Sequence, residues 1–404
     1  MEQLTRSQAR QFILAKQGLL GSYRFTGKDG AYAFIRQAGC IQFDPVDVCG
    51  KNAELTLQSR VKGFRKTMLQ DLLYKDRRLV DYADKELSIW PAEDWPYFSG
   101  YRERSRAQGA RFDGLSELEE QAVSYIRENG PVSSDTLPIE GEIFWHSTMH
   151  WSGNWQKNSP AARSVLEQLY TDGVLLIHHK KSSRKFYDLA ERYLPSALLN
   201  AENPCEDEEE FLTWRVKRRI GAAGLLWNRN STAYLGLDMN AEKRQQVLEK
   251  LEAAEEILPA RVEGIRPGFH YLRSDAPLME AVLQGCADLK PRMEFLAPLD
   301  PFLWDKSMIQ ALWDFQYSWE IYTPKEKRKY GHYTLPILYG ENFAGRIDCT
   351  ADRKAGVLHV NGLWWEPGVR QTKKLLTALE RTLKRFAVFN DCKETDPGMA
   401  FTGE

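Results

Sequence analysis

One pattern constrains this 404-residue chain more than any other: helical periodicity giving way to a pair of short alternating runs, met three times along the sequence. A hydrophobic repeat near 3.6 followed by one of period two describes a few helices closed by a two-stranded hairpin. The middle copy reads most clearly. Leu115 to Arg127 has helical spacing, Ser133 to Leu137 reads as a short capped helix, and Ala161 to Tyr170 as another that ends at Asp172-Gly173. Val174 to Asp188 is then its hairpin. A later copy runs as helix from Phe211 to Leu226, through a short segment at Thr232 to Leu235, to a helix at Ala241 to Ala254. Its hairpin pairs Ile257 to Val262 with Phe269 to Leu272 around Arg266-Pro267-Gly268. The first copy is less regular, with helices at Thr5 to Leu19, Gly30 to Ala38, Ala53 to Arg60 and Thr67 to Leu73, and a strand at Ile41 to Asp44.

After Met293 the texture changes to aromatic and β-branched runs separated by Pro, Gly and Asp, as in a small antiparallel sheet or barrel. Strands are expected at Gln310 to Phe315, Tyr317 to Tyr322, Tyr333 to Leu338, Asn342 to Cys349 and Val357 to Leu363, with a closing helix from Val369 to Phe386. The expected fold is therefore α+β: three tandem winged-helix domains (1–112, 113–200 and 201–290) followed by a C-terminal β-barrel (291–404). At 43% hydrophobic residues the chain can fill several cores. No apolar run is long enough to cross a bilayer and the N-terminus lacks a signal-peptide pattern, so a cytoplasmic protein is expected. The six cysteines show no close pairing, which suggests neither a zinc knuckle nor a disulfide framework. Neither a phosphate-binding loop nor a dinucleotide fingerprint is present, and no cofactor or metal is expected.

The net charge is −1, but the cations are clustered. Arg60, Lys62, Arg65 and Lys66 form one group, with Arg77 and Arg78 soon after, and Arg215, Lys217, Arg218 and Arg219 form another on a helix. Two more sit where hairpin tips are expected: Lys180, Lys181, Arg184 and Lys185, and Lys325, Lys327, Arg328 and Lys329. Each alone reads as a solvated face; four together also fit a footprint on a phosphate backbone.

The segment Ile41-Gln42-Phe43-Asp44-Pro45 alternates apolar and polar residues, so an extended chain would turn Ile41 and Phe43 to the core and Gln42 and Asp44 to the opposite face. Two readings fit: an amide and a carboxylate held side by side in a cleft as an acid/base pair, or a solvated strand end before an Asp-Pro turn. His146 and His150 are four apart, a spacing found in metal sites, but the catalytic Glu of such motifs is missing and the surrounding tryptophans and glycine indicate a loop. Asp300, Asp305, Arg346, Asp348 and Glu366 read as ion pairs bracing the C-terminal region rather than as a metal cluster.

Several stretches carry a family resemblance: Ile41 to Val46, Trp145-His146-Ser147, Leu296 to Asp305, Tyr322-Thr323-Pro324, Tyr330 to Tyr333, Gly345 to Asp348 and Trp364 to Pro367. In order and number they resemble the AlkZ-like or YcaQ-like winged-helix DNA glycosylases, which unhook interstrand crosslinks. That resemblance implies three winged helices and a β-barrel around a basic DNA channel, with a Gln-hydrophobic-Gln/Asp catalytic motif on Gln42, Phe43 and Asp44. One branch, associated with azinomycin resistance, carries Gln at the third place. Asp44 makes this chain similar to the broader branch, which acts on N7-alkylguanine monoadducts and nitrogen-mustard-type crosslinks. The implied chemistry is monofunctional hydrolysis of the N-glycosidic bond, with Asp44 stabilising a sugar cation and Gln42 positioning water or carboxylate.

The implied DNA contacts are Arg60, Trp145, His146, Ser147, Lys180, Lys181, Arg184, Lys185, Lys325, Lys327, Arg328 and Lys329. The implied partner is double-stranded DNA carrying alkylated guanine or a crosslink, met by a monomeric, nucleoid-associated bacterial enzyme. The alternative is a non-catalytic winged-helix regulator, which shares every basic patch but has no use for a carboxylate turned toward phosphates.

Overall fold

A computed structural model describes residues 2–145 and 158–396, arranged as two compact units. The first is built from both ends of the chain, Met1–Leu69 and Leu212–Glu404; the second is the intervening Gln70–Phe211. The expected residues His146, Ser147 and His150 lie outside the described residues.

In the first unit Thr5 caps the helix Arg6–Lys16. Its hydroxyl accepts from the Gln8 N–H, and the Gln8 side chain accepts from the Thr5 N–H, so two orphan donors are met locally. The strand Glu2–Leu4 runs parallel to Ile257–Val262, pairing Glu2 with Ala260 and Leu4 with Val262. Phe12, Ile13 and Leu14 then share one core with Trp227, Phe269, Phe302, Phe315 and Phe343. Residues more than two hundred positions apart thereby complete a single apolar cluster.

A second core lies under a five-stranded sheet ordered Met293–Phe295, Thr334–Tyr339, Asn342–Asp352, Val357–Trp365 and Glu394–Asp396. The first four strands run antiparallel to their neighbours and the last is parallel to Val357–Trp365. Register shifts at Ile337/Leu338 and Asp348/Cys349 add local twist to the sheet. Among the described residues the two end strands do not bond to each other, so the sheet is open. The helix Lys373–Phe389 covers it with Leu375, Leu379, Leu383 and Phe386; it starts later than periodicity suggested because the Thr372 side chain accepts from the Leu375 N–H and fixes its start. Cys49 and Leu55 from the N-terminal segment are buried in this same core.

Three sequence expectations are corrected here. Gln310 to Phe315 does not form a strand: Asp305 accepts from the Met308 N–H and caps the helix Lys306–Trp313, which buries Met308, Ile309 and Leu312 on one face. Tyr317 to Tyr322 carries no strand either. Lys325–Lys327 is one tight helical turn in a loop rather than the tip of a hairpin, and the Glu320 carboxylate accepts from the N–H groups of Lys329, Tyr330 and Gly331 to close the base of that loop.

The second unit holds the hairpin Leu79–Asp84/Glu86–Pro91, helices Ser99–Gly109, Leu115–Asn129 and Ala161–Thr171, and the hairpin Leu175–Lys181/Arg184–Leu189. The last three elements match their expected spans closely, whereas Ser133 to Leu137 is a turn, not a helix. Its core is aromatic. Trp90 stacks on Phe98 at 4.5 Å, and Tyr82 meets Trp95 and Tyr170 at 5.4 Å each.

The first unit also contains a fully buried ion pair. Both side chains of Arg60 and Asp300 have no exposed surface, and two bonds of 2.6 and 2.8 Å join them. Arg60 further donates to the Thr56 carbonyl, the Ser59 hydroxyl and Gln17, and its guanidinium lies 4.7 Å from the Phe34 ring centre. Removing one partner strands a charge in the interior. Asp300→Ala is expected to lower stability by about 3–5 kcal/mol, measured by equilibrium urea unfolding; a loss under about 1 kcal/mol would show that Arg60 finds another partner.

Candidate functional site

The segment that carries Gln42 and Asp44 belongs to the first unit and is stitched down at closely spaced points. The Asn52 side-chain amide donates to the Gln42 carbonyl at 2.8 Å, while its oxygen accepts from the Leu299 N–H at 2.8 Å. The Val48 carbonyl accepts from the Ala351 N–H, and the Gly50 carbonyl from the Tyr333 hydroxyl at 3.2 Å. Arg353 pairs with Asp47 at 2.6 Å. Gly50 has a φ of 120°, and a Cβ there would fall 2.9 Å from the Phe389 ring, so only glycine fits this bend.

Only Ile41–Gln42 is strand; from Phe43 the backbone is irregular. The burial pattern differs from simple alternation: Gln42 and Asp44 are buried, at 5% and 3% exposure, while Phe43 is half-buried. The polar pair is therefore covered, not on an open face. One oxygen of Asp44 accepts from the Val46 N–H at 2.9 Å, the Asx turn expected before a proline-led bend. Among the described residues no other hydrogen bond reaches this carboxylate. Burial raises the Asp44 carboxyl above its ordinary range, and the Val46 bond opposes that shift without cancelling it. Two tyrosines feel the Asp44 charge: burial first, then that charge, raises the Tyr322 phenol, and burial, Cys49 and Asp44 together raise Tyr333.

The structure sorts the basic clusters into two kinds. Arg60 belongs to the interior pair described above, which corrects the expectation that it contacts phosphate. Trp145 is likewise a core residue, its indole N–H donating to Gln168 at 2.9 Å. Lys180 is buried in an ion pair with Asp81, to which Tyr74 also donates, so its ammonium is already neutralised. Arg215 donates to the Gly236 carbonyl, Arg218 to that of Gly39, and Arg219 to the Cys40 sulfur, while Arg77 donates to the carbonyls of Ile177 and His178. Arg77, Arg215 and Arg218 thus hold backbone carbonyls, and Arg219 a thiol.

On the hairpin and the loop, Lys181, Arg184, Lys325, Lys327 and Lys329 are exposed, while Lys185 and Arg328 are half-buried. Lys181 sits over the Phe186 ring at 5.1 Å, and Arg184 makes an exposed pair with Asp135 at 2.7 Å. The Lys185 ammonium lies 5.4 Å from the Tyr170 ring. Lys325, Lys327 and Lys329 are exposed on the loop that Glu320 closes, and Arg328 donates to the Thr323 carbonyl at 2.8 Å. Asp305, Asp348, Arg346 and Glu366 do not converge: Asp305 receives the Trp227 indole, Asn361 donates to Asp348, and Arg346 pairs with Glu366 at 2.8 Å. Among the described residues no group of acidic, histidine or cysteine side chains has the arrangement of a metal site.

A separate cleft of about 770 Å³, lined by residues that include Lys306, Gln310, Tyr317 and Arg346, contains neither Gln42 nor Asp44. Asn52 is the neighbour of this segment that sequence reasoning missed. Nothing local distinguishes it, since its role depends on Leu299, 247 positions away.

A carboxyl whose folded-state pKa is raised binds its proton more tightly in the native chain than in the unfolded one. Its charged form therefore works against folding once the pH exceeds the ordinary aspartate value of about 3.9. Asp44→Asn keeps an acceptor for Val46 and removes that charge. It is expected to raise the thermal midpoint at pH 7, with the gain shrinking as the pH falls toward 4; a lowered midpoint at pH 7 would contradict the reading.

Comparison with known proteins gives this arrangement a context. A model of the "DNA glycosylase AlkZ-like" family matches residues 35–389, a span that includes the Gln42 to Asp44 segment, the second unit and most of the C-terminal sheet. The chain is also similar to a solved structure, the Streptomyces sahachiroi DNA glycosylase AlkZ, with a TM-score of 0.63 and 17% identity over 98% of this chain and 99% of that one. At that identity the structural likeness bears on fold, while the family match bears on activity. The chain belongs to the AlkZ-like DNA glycosylase family and is a DNA glycosylase, an enzyme of DNA repair.

Proposed function

We propose that this glycosylase hydrolyses the N-glycosidic bond of N7-alkylated guanine in duplex DNA, acting on monoadducts and on nitrogen-mustard-type interstrand crosslinks. The observation that carries the reading is Asp44: a buried carboxylate, held by the Val46 N–H through one oxygen on a segment that Asn52, Tyr333 and Arg353 anchor.

Alkylation at N7 makes guanine a cation and hence a good leaving group, so the base needs little acid assistance. The C1′–N9 bond breaks with its electron pair going to the base, which leaves as neutral alkylguanine. Positive charge develops on the sugar, and the Asp44 carboxylate offsets it from a preorganised position that needs no solvent reorganisation. Water then adds at C1′ and passes its proton to Asp44 or to solvent, leaving an abasic site. Gln42, one residue removed from Asp44 and held through its own carbonyl by Asn52, orients that water or the carboxylate. The motif supplies no lysine nucleophile, which favours a monofunctional enzyme over a lyase.

In this reading the three helix-and-hairpin repeats act as winged helices, and cations of a hairpin and a loop contact phosphates. Lys181, Arg184 and Lys185 serve on the hairpin of the second repeat, and Lys325, Lys327, Arg328 and Lys329 on the loop after Tyr322. A crosslinked base cannot rotate freely into a deep pocket, so the loop meets the lesion from the groove. The enzyme works as a monomer.

The test is alkali-induced strand cleavage of a duplex containing 7-methylguanine, beside gel release of a mustard-crosslinked duplex. Cleavage of the first and unhooking of the second are expected, with an acid limb in the pH–rate profile above the ordinary aspartate range of about 3.9 because burial raises Asp44. Neither reaction with purified protein would overturn the proposed substrate. Replacing Lys325, Lys327 and Lys329 together by Ala is expected to slow unhooking more than monoadduct excision and to flatten the salt dependence of DNA binding by about three phosphate contacts; equal losses in both reactions would refute a lesion-specific role for the loop.

A further inference from the structure

Among the described large hydrophobic side chains, Tyr322 is the most exposed, at 79%. A single exposed aromatic is ordinary on a protein surface, and what distinguishes this one is its support. The ring is not on a loose tail. Its edge meets Trp319 at 6.0 Å between ring centres; Trp319 meets Tyr333 at 5.7 Å, and the Tyr333 hydroxyl donates to Gly50, six residues beyond Asp44. Trp319 and Ile321 pack against the core under the sheet. On the other side the backbone is pinned, with Thr323 N–H donating to the Glu320 carbonyl at 2.9 Å and Arg328 to the Thr323 carbonyl. The exposed ring therefore stands on a pedestal continuous with the segment that carries Asp44, at the base of the loop bearing Lys325, Lys327 and Lys329.

We propose that Tyr322 is a DNA-binding residue whose ring stacks on a nucleobase at the lesion, unstacking the duplex there and holding the glycosidic bond beside Asp44. Every base has a π-face, so this contact is indifferent to sequence, and a rigid aromatic wedge opens a base step without taking the base fully out of the duplex. The neighbouring cations hold the strand by its phosphates while the ring engages the base. The hydroxyl is dispensable for this role; the ring is not. The inference rests on the glycosylase reading above for its substrate, but the stacking itself has an independent readout.

Full-length wild type, Tyr322→Phe and Tyr322→Ala are compared in two measurements. The first is the single-turnover rate of 7-methylguanine release. The second is the fluorescence of 2-aminopurine placed beside a tetrahydrofuran abasic analogue, which reports unstacking without needing catalysis. Tyr322→Phe is expected within about twofold of wild type in both. Tyr322→Ala is expected to lose at least tenfold in rate and most of the fluorescence rise, with an unchanged thermal midpoint. A wild-type fluorescence change in Tyr322→Ala would overturn the proposal. Should wild type itself release no 7-methylguanine, the substrate assignment fails, and the fluorescence comparison still decides whether Tyr322 stacks. Loss of thermal stability in Tyr322→Ala is resolved by Tyr322→Leu, which keeps an apolar side chain on Trp319 but no π-face and is expected to behave like the alanine variant.

Discussion

The first unit depends on a clamp between its N-terminal segment and the turn at Leu299-Asp300. Asn52 receives the Leu299 N–H and donates to the Gln42 carbonyl; eight residues on, Arg60 makes a buried, two-bonded pair with Asp300, 240 positions away. Buried ion pairs repay their desolvation poorly, so the value of this one lies in specificity more than in net stability. An arginine and an aspartate without exposed surface tolerate no other register. Gln42 and Asp44 hang from that fixed point, and their positions follow from contacts made far away in sequence. Catalytic groups need this kind of support, because a small displacement from the reacting bond costs orders of magnitude in rate.

A carboxylate beside a polyanion is an electrostatic liability unless the reaction needs it. Here the liability is contained by burial, which favours the protonated form of Asp44, and by a single backbone donor, which favours the charged form. The cations that would draw DNA are elsewhere, on surfaces where water and salt reach them. Much of the positive charge in the sequence is not available for that work: Arg60, Arg77, Arg215, Arg218 and Arg219 are spent on carbonyls, a sulfur and one carboxylate inside the protein. A net charge of −1 is compatible with a DNA enzyme because exposed cations remain on a hairpin, at Lys181 and Arg184, and on a loop, at Lys325, Lys327 and Lys329.

Local patterns were legible where local physics decides. Leu175–Lys181 and Arg184–Leu189 announce themselves through alternation around a polar tip, and Ile257–Val262 with Phe269–Leu272 do the same. Reading failed where a cap or a distant partner overrides the pattern. Asp305 turns an apparent strand into the helix Lys306–Trp313, and Glu320 gathers three N–H groups and prevents the following segment from pairing as a hairpin. The motif at Gln42 to Asp44 was visible as alternation, yet the burial of its polar residues was not, since Phe43 is more exposed than either polar neighbour. Arg60 looked like surface charge because its partner lies in another quarter of the sequence.

The central claim is that the Asp44 carboxylate stabilises charge on the sugar as the bond to the base breaks. Its most direct test is the single-turnover release of 7-methylguanine by Asp44→Asn with enzyme in excess over DNA. The account predicts a fall of at least two orders of magnitude with duplex affinity kept or improved, because the variant loses the negative charge while an amide oxygen still accepts from Val46. Release at the wild-type rate would contradict it and remove Asp44 from the chemistry.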